Sequence, residues 1–291
     1  MNPTATNPVE GTAPVNTSHV LADIGNTPWA ITPVALFGIL SAYRDRGPVS
    51  FRGSPRASDA DRGYVLVGNV AIIRVGGSIM PRASVFDELF GFTSHEAIGR
   101  ATDAAVADRQ VASIVYDIDS PGGTVYGMPE AADKVAAVGK VKPTIAVANH
   151  VAASAAYWYA SQCGEVVVTP AGAVGCIGVL MRNVDETKAL EREGVKDQLI
   201  PNDASPFKAE GWPQTPVTAE GIAYLKSQCN AYGAMFTDAV AKGRGIRSAT
   251  VERDFGQGRM LLANAALTAR MVDRIATLED VIRDANRKSA R

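Results

Sequence analysis

From Tyr64 onward, short and nearly continuous apolar runs alternate with segments whose apolar residues recur at helical spacing. YVLVGNVAIIRVGG (64–77) predicts two short strands, FTSHEAIGRATDAAVADRQ (92–110) a helix and VASIVYDID (111–119) a strand. The alternation continues with a helix over VYGMPEAADKVAAVG (125–139), a strand over PTIAVANH (143–150), a helix over SAAYWYASQ (154–162) and a strand over EVVVTP (165–170). Strands this uniformly apolar are buried on both faces, and their interleaving with helices predicts an α/β fold with a largely parallel sheet. In such sheets the chemistry gathers where strands end at their carboxyl termini.

The pattern is different before Tyr64. Residues 1 to about 20 are rich in Pro, Thr and Asn and carry few large apolar groups, so they are expected to be mobile. TPVALFGILSAYRDR (32–46) predicts one short helix, with Thr32 as its cap and Pro33 in its first turn. GPVSFRGSPRASDADRG (47–63) reads as an exposed connector. The expected organisation is an N-terminal extension and linker over 1–63, one catalytic-size domain over 64–285 and a tail over 286–291.

Composition narrows the function. With 46% hydrophobic and 20% charged residues the chain is a globular protein and not a disordered one. Its 29 basic and 30 acidic residues leave a net charge of -1 with no long basic block, which argues against a nucleic-acid partner. Cys163, Cys176 and Cys229 form no CxxC pair, so neither a disulfide framework nor a zinc site is expected. WAITPVALFGIL (29–40) is too short to span a bilayer and lies too far from the start for a signal peptide, so no membrane association is expected.

Two strand exits carry candidate chemistry. In DIDSPGGTVYG (117–127) a Pro-Gly-Gly follows a strand, where the N–H of Gly122 or Gly123 is free to face an acyl oxygen; a tight turn without chemistry has the same signature. In VANHVAASAAYW (147–158) Ser154 sits among alanines at a helix start. The small neighbours suit close packing as well as a nucleophile. If Ser154 attacks a carbonyl, the N–H of Ala155 is placed to donate to the developing oxyanion. The base is harder to find. His19 lies in the loose N-terminus, His95 reads as a surface helix residue, and His150 reads as a polar loop residue. A desolvated lysine can serve instead. Lys188, Lys196 and Lys226 fall on or beside charged helices, and the best candidate is Lys208, flanked by Phe207 and Trp212 in LIPNDASPFKAEGWPQ (199–214); an exposed loop lysine has the same signature.

The ordered set DSPGG, AASAAYW, GAVGCIGVL (172–180), then a lysine 54 positions after the serine, resembles the signal peptide peptidase A, or protease IV, family of Ser-Lys serine peptidases. FGQGRMLLANAALTARMVDRIATLEDVI (255–282) resembles that family's closing segment. Within the family the chain is most similar to the phage capsid-assembly, or head-maturation, branch, with a single protease unit behind an NTPWAITPVAL segment. Phe207 before the lysine and Met271 in MVD depart from the usual pattern without removing a catalytic group.

The resemblance implies a ClpP/crotonase-like spiral of ββα units with subunits in a ring. It implies Ser154 as nucleophile, Lys208 as general base, and the N–H groups of Gly123 and Ala155 as oxyanion hole. Gly122, Gly175, Ile177 and Gly178 would line the substrate site, and no metal or cofactor would be required. The implied partners are scaffold, portal or other capsid proteins inside the immature capsid in the bacterial cytoplasm, any scaffold being a separate product. Lys208 could serve a neighbour's Ser154. A host-type soluble signal-peptide peptidase, a crotonase-fold thioester enzyme using Glu130 or Glu210, and a vestigial capsid component are the competing readings.

Overall fold

The computed structural model describes residues 27–46, 62–82 and 91–289. The expected mobility of residues 1 to about 20 and most of the connector over 47–63 fall outside the described residues.

The apolar runs form one large sheet. Its strands are β2 (Val65–Val67), β3 (Val70–Gly76), β6 (Ser113–Ser120), β8 (Thr144–Ala153), β9 (Glu165–Val168), β10 (Ala173–Gly175), β11 (Met260–Leu262) and β12 (Arg274–Ile275). Pairing is parallel from β3 through β6 to β8, and antiparallel only at the two margins, β2 with β3 and β10 with β11. The long strand β8 changes partners along its length. Ile145 to Ala148 pair with β9, while Val151 to Ala153 pair with β10. That fork carries the last residues of β8 away from β9 and delivers them beside β10.

A second, smaller sheet has the order β1 (Trp29–Ile31), β7 (Gly122–Thr124), β4 (Ile79–Met80), β5 (Thr93–Ser94). Helices α2 (His95–Ala107), α3 (Met128–Val138) and α4 (Ala155–Ala160) alternate with the strands. Ser94 caps α2 by accepting the Ala97 N–H at 3.1 Å, as a serine before a helix should. Helix α1 (Pro33–Arg46) begins where Thr32 and Pro33 direct it, with the Leu36 N–H donating to the Thr32 carbonyl at 3.1 Å. After β10 come the short α5 (Thr187–Glu193), a 3-10 turn over Pro206–Ala209, the long α6 (Ala219–Arg244), α7 (Ser248–Asp254), α8 (Ala263–Thr268) and α9 (Leu278–Ser289).

The largest core cluster has Ile73, Ile114, Ile118, Tyr157, Trp158 and Phe236 among its largest members, and a second cluster packs Val70, Val115, Ile145, Val147 and Val167 of the sheet against Val281 and Ala285 of α9. Trp29, Ile31 and Leu36 make a separate small cluster, against which Met80 and Leu180 pack. Residues 29–31, expected in the N-terminal extension, are a strand of the smaller sheet, nearly or wholly buried. Among the described residues no helix is long and apolar enough to cross a membrane.

Candidate active site

The chain leaves β8 at Ala153 and enters α4 at Ala155, so Ser154 makes the whole turn. It does so at φ 56°, ψ -121°, a conformation that a side-chain-bearing residue holds at a cost of about 1–3 kcal/mol. The surroundings fix it. Its N–H donates to the Gly175 carbonyl on β10 at 2.7 Å, and its own carbonyl accepts the Trp158 N–H at 2.9 Å. Ala152, Ala153, Ala155 and Ala156 around it are all fully buried, so the alanines are there because backbone and strand approach too closely for larger groups. Ser154 is 0% exposed, and its Oγ has no hydrogen-bond partner among the described residues. A buried hydroxyl left unpaired in a strained turn is costly for stability and calls for a role in function. The Cys176 thiol lies alongside: burial pushes it up, and the nearby Ser154 hydroxyl pulls the other way without being aligned as a hydrogen bond.

Three consecutive aromatic residues anchor α4. The Tyr157 hydroxyl donates to the Met271 carbonyl at 2.8 Å. Trp158 stacks on Phe236 of α6 with ring centroids 4.5 Å apart and planes 8° from parallel. The Tyr159 hydroxyl meets His95 Nδ1 at 2.7 Å. His95, expected on a helix surface, is therefore a buried residue. It stands in the first turn of α2 and faces inward, where burial pushes its pKa down to about 4 against smaller opposing effects of the Tyr126 backbone and Glu130. The MVD turn acts beneath the same region. Asp273 accepts the Val166 N–H at 2.7 Å and pairs with Arg244 at 2.6 and 3.0 Å; burial opposes its ionisation, yet these contacts hold it below the usual carboxylate range.

The second strand exit lies against the first. Gly122 has φ 104°, and a Cβ there would approach the Ala153 carbonyl at 3.0 Å and overlap the Ala30 carbonyl. Only glycine lets β7 lie between them. The Gly122 N–H donates to Ser120 Oγ at 3.2 Å, and that hydroxyl donates to the Gly77 carbonyl at 2.6 Å. Gly123 sits opposite Ala30 in the antiparallel ladder of β1 and β7. The flanking bonds, Val125 N–H to Pro28 O at 3.1 Å and Thr32 N–H to Pro121 O at 3.0 Å, fix the alternation so that the Gly123 N–H faces the Ala30 carbonyl. The Ala155 N–H, in the first turn of α4, has no acceptor within its helix. Gly175 is buried on β10, with Ile177 and Gly178 half-buried just beyond it.

Lys208 stands apart from this arrangement. It is exposed on the 3-10 turn Pro206–Ala209, and its ammonium has no hydrogen bond or ion pair among the described residues. Phe207, expected to help bury it, is 60% exposed. Lys188, Lys196 and Lys226 are exposed as well, so burial within one chain does not distinguish any of them. His150, expected in a loop, lies within β8, where it is exposed and meets Asp119 at 3.2 Å. Glu130 is exposed and Glu210 half-buried beside Gly221. Ser120, Gly77 and β1 also shape the site, through contacts between segments that no local pattern in the sequence marks.

Residues 136–290 match the profile of peptidase family S49, which is more than half of the 291-residue chain and includes both Ser154 and Lys208. The chain belongs to peptidase family S49. It is 28% identical over 287 residues to the head-tail preconnector protein GP5 of Enterobacteria phage P21, covering 92% of this chain and 56% of that one. It is 28% identical over 243 residues to the capsid assembly protease C of Escherichia phage lambda, covering 84% of this chain and 54% of that one. The S49 chain thus spans about half the length of these relatives. An Enterococcus faecium protein named for signal peptide peptidase SppA is 28% identical over 177 residues, 60% of this chain and 50% of that one. Among solved structures, a point mutant of ClpP1 from Listeria monocytogenes aligns at 15% identity over 72% of this chain and 94% of its own, with a TM-score of 0.44, a distance at which the likeness carries no argument.

Proposed function

We propose that this S49 chain is a serine endopeptidase with Ser154 as its nucleophile. The observation that carries the reading is the strained, fully buried Ser154, whose unpaired hydroxyl sits where the Gly122–Gly123 turn, the helix start and Gly175 converge. In the proposed reaction Ser154 Oγ adds to a peptide carbonyl and its proton passes to a neutral Lys208 amine. The oxyanion is held by the N–H groups of Gly123 and Ala155. The C–N bond then breaks, Lys208 returns the proton to the leaving amine, and water hydrolyses the acyl-serine by the reverse sequence. Gly122, Gly175, Ile177 and Gly178 would line the substrate.

A lysine that works as a base must be desolvated, and Lys208 is exposed in a single chain. The reading therefore includes assembly. Exposed apolar groups on the same arm and the following helix, Ile200, Phe207, Ile222 and Tyr224, are surfaces that a neighbouring subunit in a ring would cover, burying Lys208 against its own or an adjacent Ser154. The phage relatives support capsid maturation as the setting, with scaffold, portal or other capsid proteins as substrates in the host cytoplasm.

The test is covalent labelling with a fluorophosphonate, followed by peptide mapping. Modification at Ser154, lost together with peptide cleavage in a folded Ser154→Ala protein, is the expected result. Cleavage that persists in Ser154→Ala would refute it.

A further inference from the structure

The strand Trp29–Ile31 is bound in the way an extended peptide is bound. On one edge the Trp29 N–H donates to the Leu180 carbonyl and the Leu180 N–H to the Trp29 carbonyl, both at 2.9 Å. On the other edge it runs antiparallel along Gly122–Thr124, with bonds at Pro28 and Thr32 closing the ladder. Main-chain pairing on both edges with alternate side chains in pockets is the general form of β-strand recognition. Trp29 and Ile31 point to one side, into the small cluster with Leu36, Met80 and Leu180. Ala30 points to the other and is fully buried in the main core. Its carbonyl lies against Gly122, which in turn lies against Ala153, one residue from Ser154.

We propose that residues 28–32 are a resident occupant of the peptide groove beside Ser154, and that a substrate binds by displacing them as a strand between Gly122–Thr124 and Leu180. This rests on the reading of Ser154 as nucleophile only for its catalytic consequence; the groove itself is defined by the pairing. Two features suit displacement. The strand is three residues long, and its two large side chains belong to a satellite cluster, so that its release withdraws from the main core only the methyl group of Ala30. While it is in place, the Gly123 N–H proposed for the oxyanion faces the Ala30 carbonyl. The occupant also describes its competitor: an extended peptide with a small residue at the position of Ala30, where backbone on both sides leaves no room, between two large apolar residues.

The test uses the full chain carrying Trp29→Ala and Ile31→Ser together, and separately Thr32→Pro, which removes the bond to Pro121 and leaves the apolar anchors in place. Circular dichroism checks that each is folded. A fluorescent peptide with the sequence NTPWAITPVA is then titrated into each protein by anisotropy. It should bind the folded variants and fail to bind the wild type, and replacing its central alanine by leucine should abolish binding. Fluorophosphonate labelling of Ser154 should accelerate at least about tenfold in the variants, as expected when an open fraction of a tenth or less rises toward one. Equal binding to wild type and variants, or none to any folded variant, would overturn the proposal. Peptide binding confined to the variants without labelling of any protein would support the groove and refute the nucleophile.

Discussion

Acidification should weaken this fold through His95, by an amount the structure sets. The ring is buried against Tyr159, and its pKa falls from an ordinary 6.5 to about 4 because burial disfavours the imidazolium. Below pH 6.5 the unfolded chain takes up a proton there that the folded chain refuses until about pH 4. The stabilisation from keeping His95 neutral is therefore complete above pH 6.5 and is lost as pH falls toward 4. At about 1.4 kcal/mol per pH unit the full loss is about 3 kcal/mol, a large fraction of the stability of an ordinary domain. Carboxylates titrate in the same range, so the measurement has to be differential. Urea unfolding followed by tryptophan fluorescence, at half-unit steps from pH 7.5 to 4, compares the wild type with His95→Gln, whose amide can still meet the Tyr159 hydroxyl. The wild type should lose about 3 kcal/mol more than the variant over that window. Parallel profiles for the two proteins would show that His95 is solvated or protonated in the folded state and would refute the argument.

Further outcomes follow from the same geometry. Lys208→Arg should abolish peptide cleavage as completely as Lys208→Ala, because a guanidinium does not give up its proton at usable pH; steady-state turnover of the two variants decides this. Co-expressed Ser154→Ala and Lys208→Ala subunits should regain activity in mixed assemblies if the pair is shared between protomers, and activity no higher than either parent in assemblies shown by mass to be mixed would assign a complete pair to each chain. Gly123→Ala should cost about 1–3 kcal/mol in urea unfolding, since a Cβ there overlaps the Ile79 carbonyl and forces β7 from β4.

The alternation of apolar runs and amphipathic segments is enough to place the principal strands of the sheet, because strands buried on both faces have few ways to read otherwise. Ser154 is legible for a related reason: a lone hydroxyl among alanines at a strand-to-helix turn marks a crowded backbone, and the crowding is what the structure contains. His95 escapes such a reading because the amphipathic pattern of α2 describes the body of the helix. A residue in the first turn is oriented by whatever packs against the helix start, here Tyr159, sixty-four positions away. The strand Trp29–Ile31 is invisible as a strand because so short a run between Pro28 and Pro33 carries no period, and only the edges at Gly122–Thr124 and Leu180 give it one. Burial of Lys208 is an inference from aromatic neighbours in sequence, but Phe207 faces solvent, so proximity along the chain says nothing about desolvation.

The three aromatic anchors of α4 impose an order on the life of the chain. Tyr157 needs Met271, Trp158 needs Phe236, and Tyr159 needs His95, so the turn at Ser154 is held from both sides of the sequence. A ribosome that has made residues up to 235 has already released Ser154 into a chain lacking two of its three supports. Such a chain holds the Gly175 and His95 contacts of the turn and lacks the two that tie α4 to Met271 and Phe236, so less opposes relaxation of the strained serine. Complete anchoring of the Ser154 turn is thus a late property of the chain: synthesis itself acts as a delay, during which the emerging chain carries Ser154 without two of the contacts that hold its helix.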